Sequence, residues 1–173
     1  IFAGLDHIIR YIKSLHFTAS DIDYLRSTGQ FADDFLDYLK DFKFTGSIRS
    51  FEEGDLVFNH EPILQVDAPM IEAQLVETAL LNIINYQIMV ATKASRIKSI
   101  VGDQPVMEFG TRRAQEFDAA LWGTRAAYIG GFDATSNVRA GKLFGIPISG
   151  THAHALVQAY RNDYDAFKAY AET

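Results

Sequence analysis

An α/β architecture, part of an α/β barrel with an adjoining helical and antiparallel-sheet N-terminal domain, is the fold class this sequence predicts. Three observations carry it. Apolar residues recur at helical spacing from Leu5 to about Phe42, the period shortens between Lys43 and Val66, and beyond Asp103 three short β-like runs are each followed by a helix-like segment. The shift in pattern at Pro69 divides the chain into 1–68, part of an N-terminal α/β domain, and 69–173, a long helix and the first strand-helix units of the barrel.

The elements follow in order. Leu5, Ile8, Ile9 and Ile12, then Ile22 and Leu25, then Phe35, Leu36 and Leu39 have the spacing of short helices packed on one face. In "TASDIDYLRSTG", Thr18 or Ser20 can cap a helix, Asp21 and Asp23 suit its positive end, and Gly29 can terminate it. "FTGSIRSF", "DLVFN" and "PILQVDA" read as β-runs separated by the turns "EEGD" and "NHEP". Pro69 opens a long helix, apolar on more than one face and therefore buried. The aromatics Phe35, Tyr38, Phe42, Phe44 and Phe51 read as core.

Then comes the strand-helix rhythm: "PVMEFG" before "TRRAQEFDAALWGTRAA", "YIGGFD" before "ATSNVRAGKLFG", and "IPISG" before "THAHALVQAYRNDYDAFKAY". Units in this order imply parallel strands with helical crossovers, in a barrel or an open sheet. Polar and charged residues gathered at each strand's C-terminal end favour the barrel, because barrel enzymes keep their chemistry there.

Composition narrows the function classes. A chain of 173 residues with 48% hydrophobic content can bury a core. The net charge of −6, without a run of basic residues, argues against nucleic acid. The absence of cysteine removes disulfides and thiolate chemistry and fits a reducing, cytoplasmic location. Apolar stretches such as "AAYIGGF" fall short of the ~20 residues that span a bilayer, so no membrane partner is expected. Because the chain starts at Ile1 in a helical pattern and stops without a helix terminator, it reads as a piece of a larger protein.

Chemistry-bearing residues cluster at the strand ends. Arg112 and Arg113 offer forked donors to a carboxylate or phosphate beside a helix start; in the competing reading, one simply pairs with Glu108 or Glu116. In "FDATSN", Asp133, Thr135 and Ser136 are candidate caps, and capping does not preclude ligand binding. His152 and His154 could belong to a zinc site, although no third ligand lies close in sequence. Alternatively one is packed in the barrel, or one acts as base, acid or nucleophile on an anion site. Gly130–Gly131 and Gly141 match no phosphate-loop pattern, and the paired glycines suit close backbone approach at the barrel mouth instead.

"EFGTRRAQ", "GGFDATSNVRAGKLFGIPISGTHAHA" and "ETALLNIINYQ", in combination, resemble the nicotinate phosphoribosyltransferases. The likeness extends through "IFAGLDHIIRYI" and "FEEGDLVFNHEPILQV", nearly the whole chain. It implies the irregular, type II phosphoribosyltransferase barrel beside an N-terminal α/β domain, in a homodimer with active sites shared across the interface. The implied reaction joins nicotinate and phosphoribosyl pyrophosphate into nicotinate mononucleotide and pyrophosphate, with Mg²⁺ and ATP hydrolysis, in NAD salvage.

Carried over by position, the resemblance makes His154 the histidine that ATP phosphorylates, with Thr151 beside it and His152 a neighbour. Phe109 matches a residue that stacks on the pyridine ring and Arg112 one that contacts nicotinate or phosphate, with Arg113 a further candidate. Ser136 and Asn137 fall where nicotinamide-using relatives carry an aspartate, and a neutral residue there suits a carboxylate-bearing base. The family's downstream glycine-rich phosphate segments and upstream aromatic segment are not in this sequence, so this stretch alone is expected to be inactive. Two alternatives remain: a nicotinamide phosphoribosyltransferase-like enzyme, or a non-catalytic binding or assembly module that keeps the barrel rim.

Overall fold

The computed structural model describes residues 1–172. Three short helices lead: α1 (Leu5–Ser14), α2 (Ala19–Ser27) and α3 (Asp33–Lys40). Thr18 caps α2 reciprocally, its Oγ1 accepting from the Asp21 N–H while the Asp21 carboxylate accepts from the Thr18 N–H at 2.7 Å. Gly29 follows in the left-handed region at φ 66°, where a β-carbon would be strained. Ile22, Leu36, Leu39 and Phe42 close a small core between α2 and α3, whereas Tyr38, expected in the core, is exposed.

Strands β1 (Ser47–Ser50) and β2 (Leu64–Asp67) pair antiparallel, with Ser47 opposite Asp67 and Ser50 opposite Leu64. The middle run "DLVFN" is not a strand. Its neighbourhood bonds the N-terminal segment instead, the Phe2 N–H donating to Asp55 O at 2.8 Å and the Gly54 N–H to Phe2 O at 2.9 Å. Leu56 and Phe58 of this run are left exposed.

Helix α4 (Met70–Val101) is the axle of the fold. Its first turn is tied to the strand region by Glu72, a buried carboxylate that accepts from both the N–H and the hydroxyl of Thr45. Val76, Leu80 and Ile84 on α4 pack with Ile8 of α1, and Ile48, Leu64 and Val66 of the hairpin lie against them. Burying Ile8, Val76, Leu80 and Ile84 stabilises the fold by about 1.5–3 kcal/mol each. Among the described residues α4 is also the one helix long and apolar enough to cross a membrane, although no single apolar run within it reaches that length. Its contacts with α1 and with α5 (Glu116–Ile129) bury a stripe that includes Val76, Leu80, Ile84, Ala91 and Ala94, while Leu81, Met89 and Ile100 stay exposed, so the burial expected of the whole helix holds for one face only.

Small residues let α4 and α5 approach. A β-carbon at Gly130 would lie 2.4 Å from the Ala91 carbonyl oxygen, and one at Gly123 would lie 2.5 Å from the Tyr86 hydroxyl. The alanines Ala91 and Ala126 meet Ala3 in the same seam. The composition of "AALWGTRAAYIGG" therefore follows from how closely two backbones cross.

Beyond α4 the parallel layer begins. Strand β3 (Met107–Glu108) pairs in parallel with β4 (Ala134–Thr135), and Thr135 bridges in parallel to Ile148. The third run is thus a single bridge rather than a strand; Pro147 has no N–H, though its carbonyl accepts from the Thr135 N–H at 3.0 Å. Helix α5 crosses between β3 and β4, and α6 (Val138–Phe144) between β4 and the bridge, the βαβ order of an α/β barrel segment.

Two predicted helices are broken. "TRRAQEFDAALWGTRAA" opens as a 3-10 turn at Thr111–Arg113 and becomes α5 only at Glu116, which itself sits at φ 77°. The last helix divides into α7 (His154–Gln158) and α8 (Asp163–Ala171), because Asn162 caps α8, its Oδ1 accepting from the Asp165 N–H at 2.9 Å.

Candidate active site

The loops that leave β3, β4 and the Ile148 bridge open on one side into a cleft of about 930 Å³. Phe109, Arg112, Ser136, Thr151, His152 and His154 all line it. Strand direction explains the convergence: parallel strands release their following loops at the same end of the layer.

Arg112 makes no ion pair or hydrogen bond among the described residues, so the pairing with Glu108 or Glu116 considered from sequence is absent. A guanidinium left unpaired beside an aromatic ring and hydroxyls suits a planar anion. Phe109 is partly exposed at the cleft wall and free to stack. The two histidines differ. His152 is held against α8, its ring centroid 5.3 Å from Phe167 edge-on and 5.3 Å from Tyr170. His154 stands at the first residue of α7, exposed and without a polar partner among the described residues.

Two predicted substrate contacts lie elsewhere. Asn137 caps α6, its Oδ1 accepting from the Ala140 N–H at 3.0 Å, and it does not border the cleft. The start of a helix claims that carboxamide because its first N–H groups have no partner within the helix. Arg113, one step further round the 3-10 turn than Arg112, faces a separate cavity of about 420 Å³ between α4 and α5, beside Lys93 and Tyr86.

The floor beneath the cleft is a polar network whose members are scattered in the sequence. Glu108 Oε2 accepts from Thr124 Oγ1 at 2.8 Å and from Thr135 Oγ1 at 2.7 Å, while its Oε1 accepts from the Gly110 N–H. Asp133 is a clamp, not a ligand: it accepts from Lys98 Nζ at 2.8 Å and from the Val106 N–H at 2.7 Å. The Lys98 hydrogen bond, aided by the Val106 amide, holds its carboxyl below the usual range. Both partnerships span tens of residues, and only the strand pairing brings the groups together.

A second unforeseen feature joins the two halves of the chain. Arg125 on α5 makes a bidentate pair with Glu53, Nη1 to Oε1 at 2.8 Å and Nη2 to Oε2 at 2.6 Å. Glu53 also accepts from the N–H groups of Gly4 and Leu5 at the start of α1. Nearby, the His7 ring stacks on Trp122 at 3.8 Å, and burial pushes its pKa below the ordinary histidine value. Among the described residues no group of three or more His, Asp or Glu side chains is placed to hold a metal ion, whereas Mg²⁺ ordinarily needs only one or two carboxylates beside substrate phosphates.

With this geometry in place, similarity to known proteins decides the family. Residues 1–85 match the family model for the nicotinate phosphoribosyltransferase (NAPRTase) N-terminal domain. Nicotinate phosphoribosyltransferase of Bacillus subtilis is 63% identical over 173 residues, covering 100% of this chain and 35% of its own length. The chain belongs to the nicotinate phosphoribosyltransferase family. A Mycobacterium tuberculosis nicotinate phosphoribosyltransferase is 43% identical over 98% of this chain and 36% of its own length. The crystal structure of human nicotinic acid phosphoribosyltransferase superposes with a TM-score of 0.85 at 36% identity, covering 92% of this chain and 33% of that one. The chain spans about a third of the length of the nicotinate phosphoribosyltransferases it matches. The α/β fold class read from the strand-helix rhythm accords with these neighbours.

Proposed function

We propose that the full-length protein transfers a phosphoribosyl group from phosphoribosyl pyrophosphate to nicotinate, giving nicotinate mononucleotide and pyrophosphate in NAD salvage. In this reading ATP hydrolysis is coupled through phosphorylation of His154, and the protein works in the cytoplasm as a homodimer. The observation that carries it is one cleft containing an exposed ring, Phe109, with a guanidinium, Arg112, and an imidazole, His154, that have no polar partner among the described residues.

Each group has a task that its chemistry suits. Phe109 stacks on the pyridine ring, and Arg112 with the Ser136 hydroxyl receives the carboxylate. Ser136, being neutral, does not repel that carboxylate as an aspartate would, which favours the acid over the amide. The ribosyl centre becomes oxocarbenium-like as its bond to pyrophosphate breaks, so catalysis rests on alignment and charge stabilisation more than on a strong nucleophile. Thr151 stands beside the phosphorylatable imidazole in the same lip of the cleft.

Assay of the purified full-length protein with both bases tests the reading. The kcat/KM for nicotinate is expected to exceed that for nicotinamide by about 100-fold or more, since a site built for a charged partner discriminates strongly against its neutral analogue. Turnover of nicotinamide with none of nicotinate would assign the protein to the amide-using relatives. Turnover of neither would favour a binding or assembly role.

A further inference from the structure

Glu108 places three donors on one carboxylate, and none of them is a cation. Each donor belongs to a different part of the scaffold under the cleft. Gly110 lies in the loop between Phe109 and Arg112, Thr135 directly precedes Ser136, and Thr124 is on α5.

The Glu108 backbone joins the same arrangement, its carbonyl accepting from the Ser136 N–H at 3.1 Å. Thr135 is fully buried, and its hydroxyl is used in both directions, donating to Glu108 and accepting from the Asn137 N–H at 2.9 Å. Its main chain reaches the third lip as well, with the Ser149 N–H donating to Thr135 O at 2.9 Å. Through Thr135, then, Glu108 is connected to all three loops that bound the cleft.

Position 110 fits the same scheme. A β-carbon at Gly110 would lie 2.9 Å from Glu108 Oε1, so glycine lets the carboxylate reach the amide. Glu108 itself borders the neighbouring cavity and not the cleft. It therefore acts on anything bound there only through the residues it holds.

We infer that Glu108 is a positioning residue for the base, fixing Phe109, Arg112 and Ser136 at the spacing a pyridine carboxylate requires. The inference rests on the proposed phosphoribosyl transfer to nicotinate. Three hydrogen bonds to neutral donors serve geometry and not charge neutralisation, and displacement of a binding group by about 1 Å is enough to lose much of its effect.

A glutamine at 108 cannot accept from all three donors, because one of its two ends is an NH₂ group. In the full-length protein, Glu108→Gln and Thr135→Val are each expected to raise the KM for nicotinate about tenfold or more. The KM for phosphoribosyl pyrophosphate and the labelling of His154 by ATP are expected to stay within about twofold of wild type. Thr135→Ser, which keeps the hydroxyl, is expected to restore the nicotinate KM to within about threefold.

An unchanged nicotinate KM in folded Glu108→Gln and Thr135→Val would overturn the inference. So would a parallel rise in every KM together with lost His154 labelling, the mark of general disorganisation. If Glu108→Gln does not fold, the contrast between Thr135→Val and Thr135→Ser decides alone. Wild-type protein assayed alongside separates the two levels: if it turns over no nicotinate, the functional reading fails and this inference falls with it, whereas active wild type with unaffected variants rejects Glu108 only.

Discussion

Full-length protein carrying His154→Ala is expected to acquire no acid-labile phosphate from γ-labelled ATP, and its ATP-coupled turnover is expected to fall at least about 100-fold. His154 is the exposed, unpartnered imidazole of the cleft, so its ring nitrogens are open to attack the γ-phosphorus of a bound nucleotide. In the proposed reaction the attacking nitrogen gains the phosphoryl group as the bond to the β–γ bridging oxygen breaks and ADP departs. His152, two residues away, is engaged with the rings of Phe167 and Tyr170. His152→Phe keeps that ring packing and is expected to retain labelling. Label persisting in His154→Ala, or lost only in His152→Phe, would place the chemistry on the wrong imidazole.

The largest expected effect on stability belongs to the Glu53–Arg125 pair. Its side chains are 17% and 18% exposed, so removing one partner leaves a mostly buried charge without compensation. Arg125→Met is expected to cost about 3 kcal/mol in urea unfolding, within the range for breaking such pairs. Glu53→Gln is expected to cost a comparable amount, since Glu53 also receives the Gly4 and Leu5 amides that α1 cannot satisfy internally.

The same carboxylate gives the pair a pH signature. Burial alone would raise the Glu53 pKa, but the Arg125 hydrogen bonds, the Gly4 and Leu5 amides and the Arg125 charge outweigh it and hold the pKa below its ordinary value. A lowered folded-state value means the stabilisation is fully present above the unfolded pKa of about 4.3 and is lost as pH falls through the folded value. The stability gap between wild type and Glu53→Gln is therefore expected to be wide at pH 7 and to narrow below about pH 4. A gap independent of pH would show that Glu53 acts through packing and not through its charge.

Much of the scaffold was legible because its causes are local. The apolar spacing of Ile8, Ile12 and Ile22, the Thr18–Asp21 box, Pro69 at the head of α4 and the strand-helix order of the last third all express themselves within a few residues. The second strand nevertheless lies at Ala134–Thr135 and not in "YIGGFD", where α5 still runs to Ile129, and the third run is a single bridge. Parallel connectivity then forces the loops after β3, β4 and the Ile148 bridge to one end, which is why Phe109, Arg112, Ser136, Thr151 and His154 could be grouped before any coordinates.

What escaped depends on partners distant in sequence or on competition between neighbours. "DLVFN" has strand composition, but its Asp55 carbonyl is taken by the distant Phe2 amide rather than by the β1–β2 pair, and Asn137 was claimed by its own helix start. Glu53 and Arg125 lie 72 residues apart, and nothing in "FEEGD" says which acid turns inward. Arg112 and Arg113 are indistinguishable as residues; the 3-10 turn sends them to different cavities. The role of Glu108 became visible only when β3 and β4 brought it to Thr135.

A crystal structure of the full-length protein with nicotinate bound tests the central claim most directly. The account predicts the pyridine ring stacked against Phe109, its carboxylate within hydrogen-bonding reach of Arg112 or Ser136, and His154 facing the same cleft. Nicotinate seated elsewhere, with Arg112 turned to solvent or His154 remote from the substrates, would contradict it.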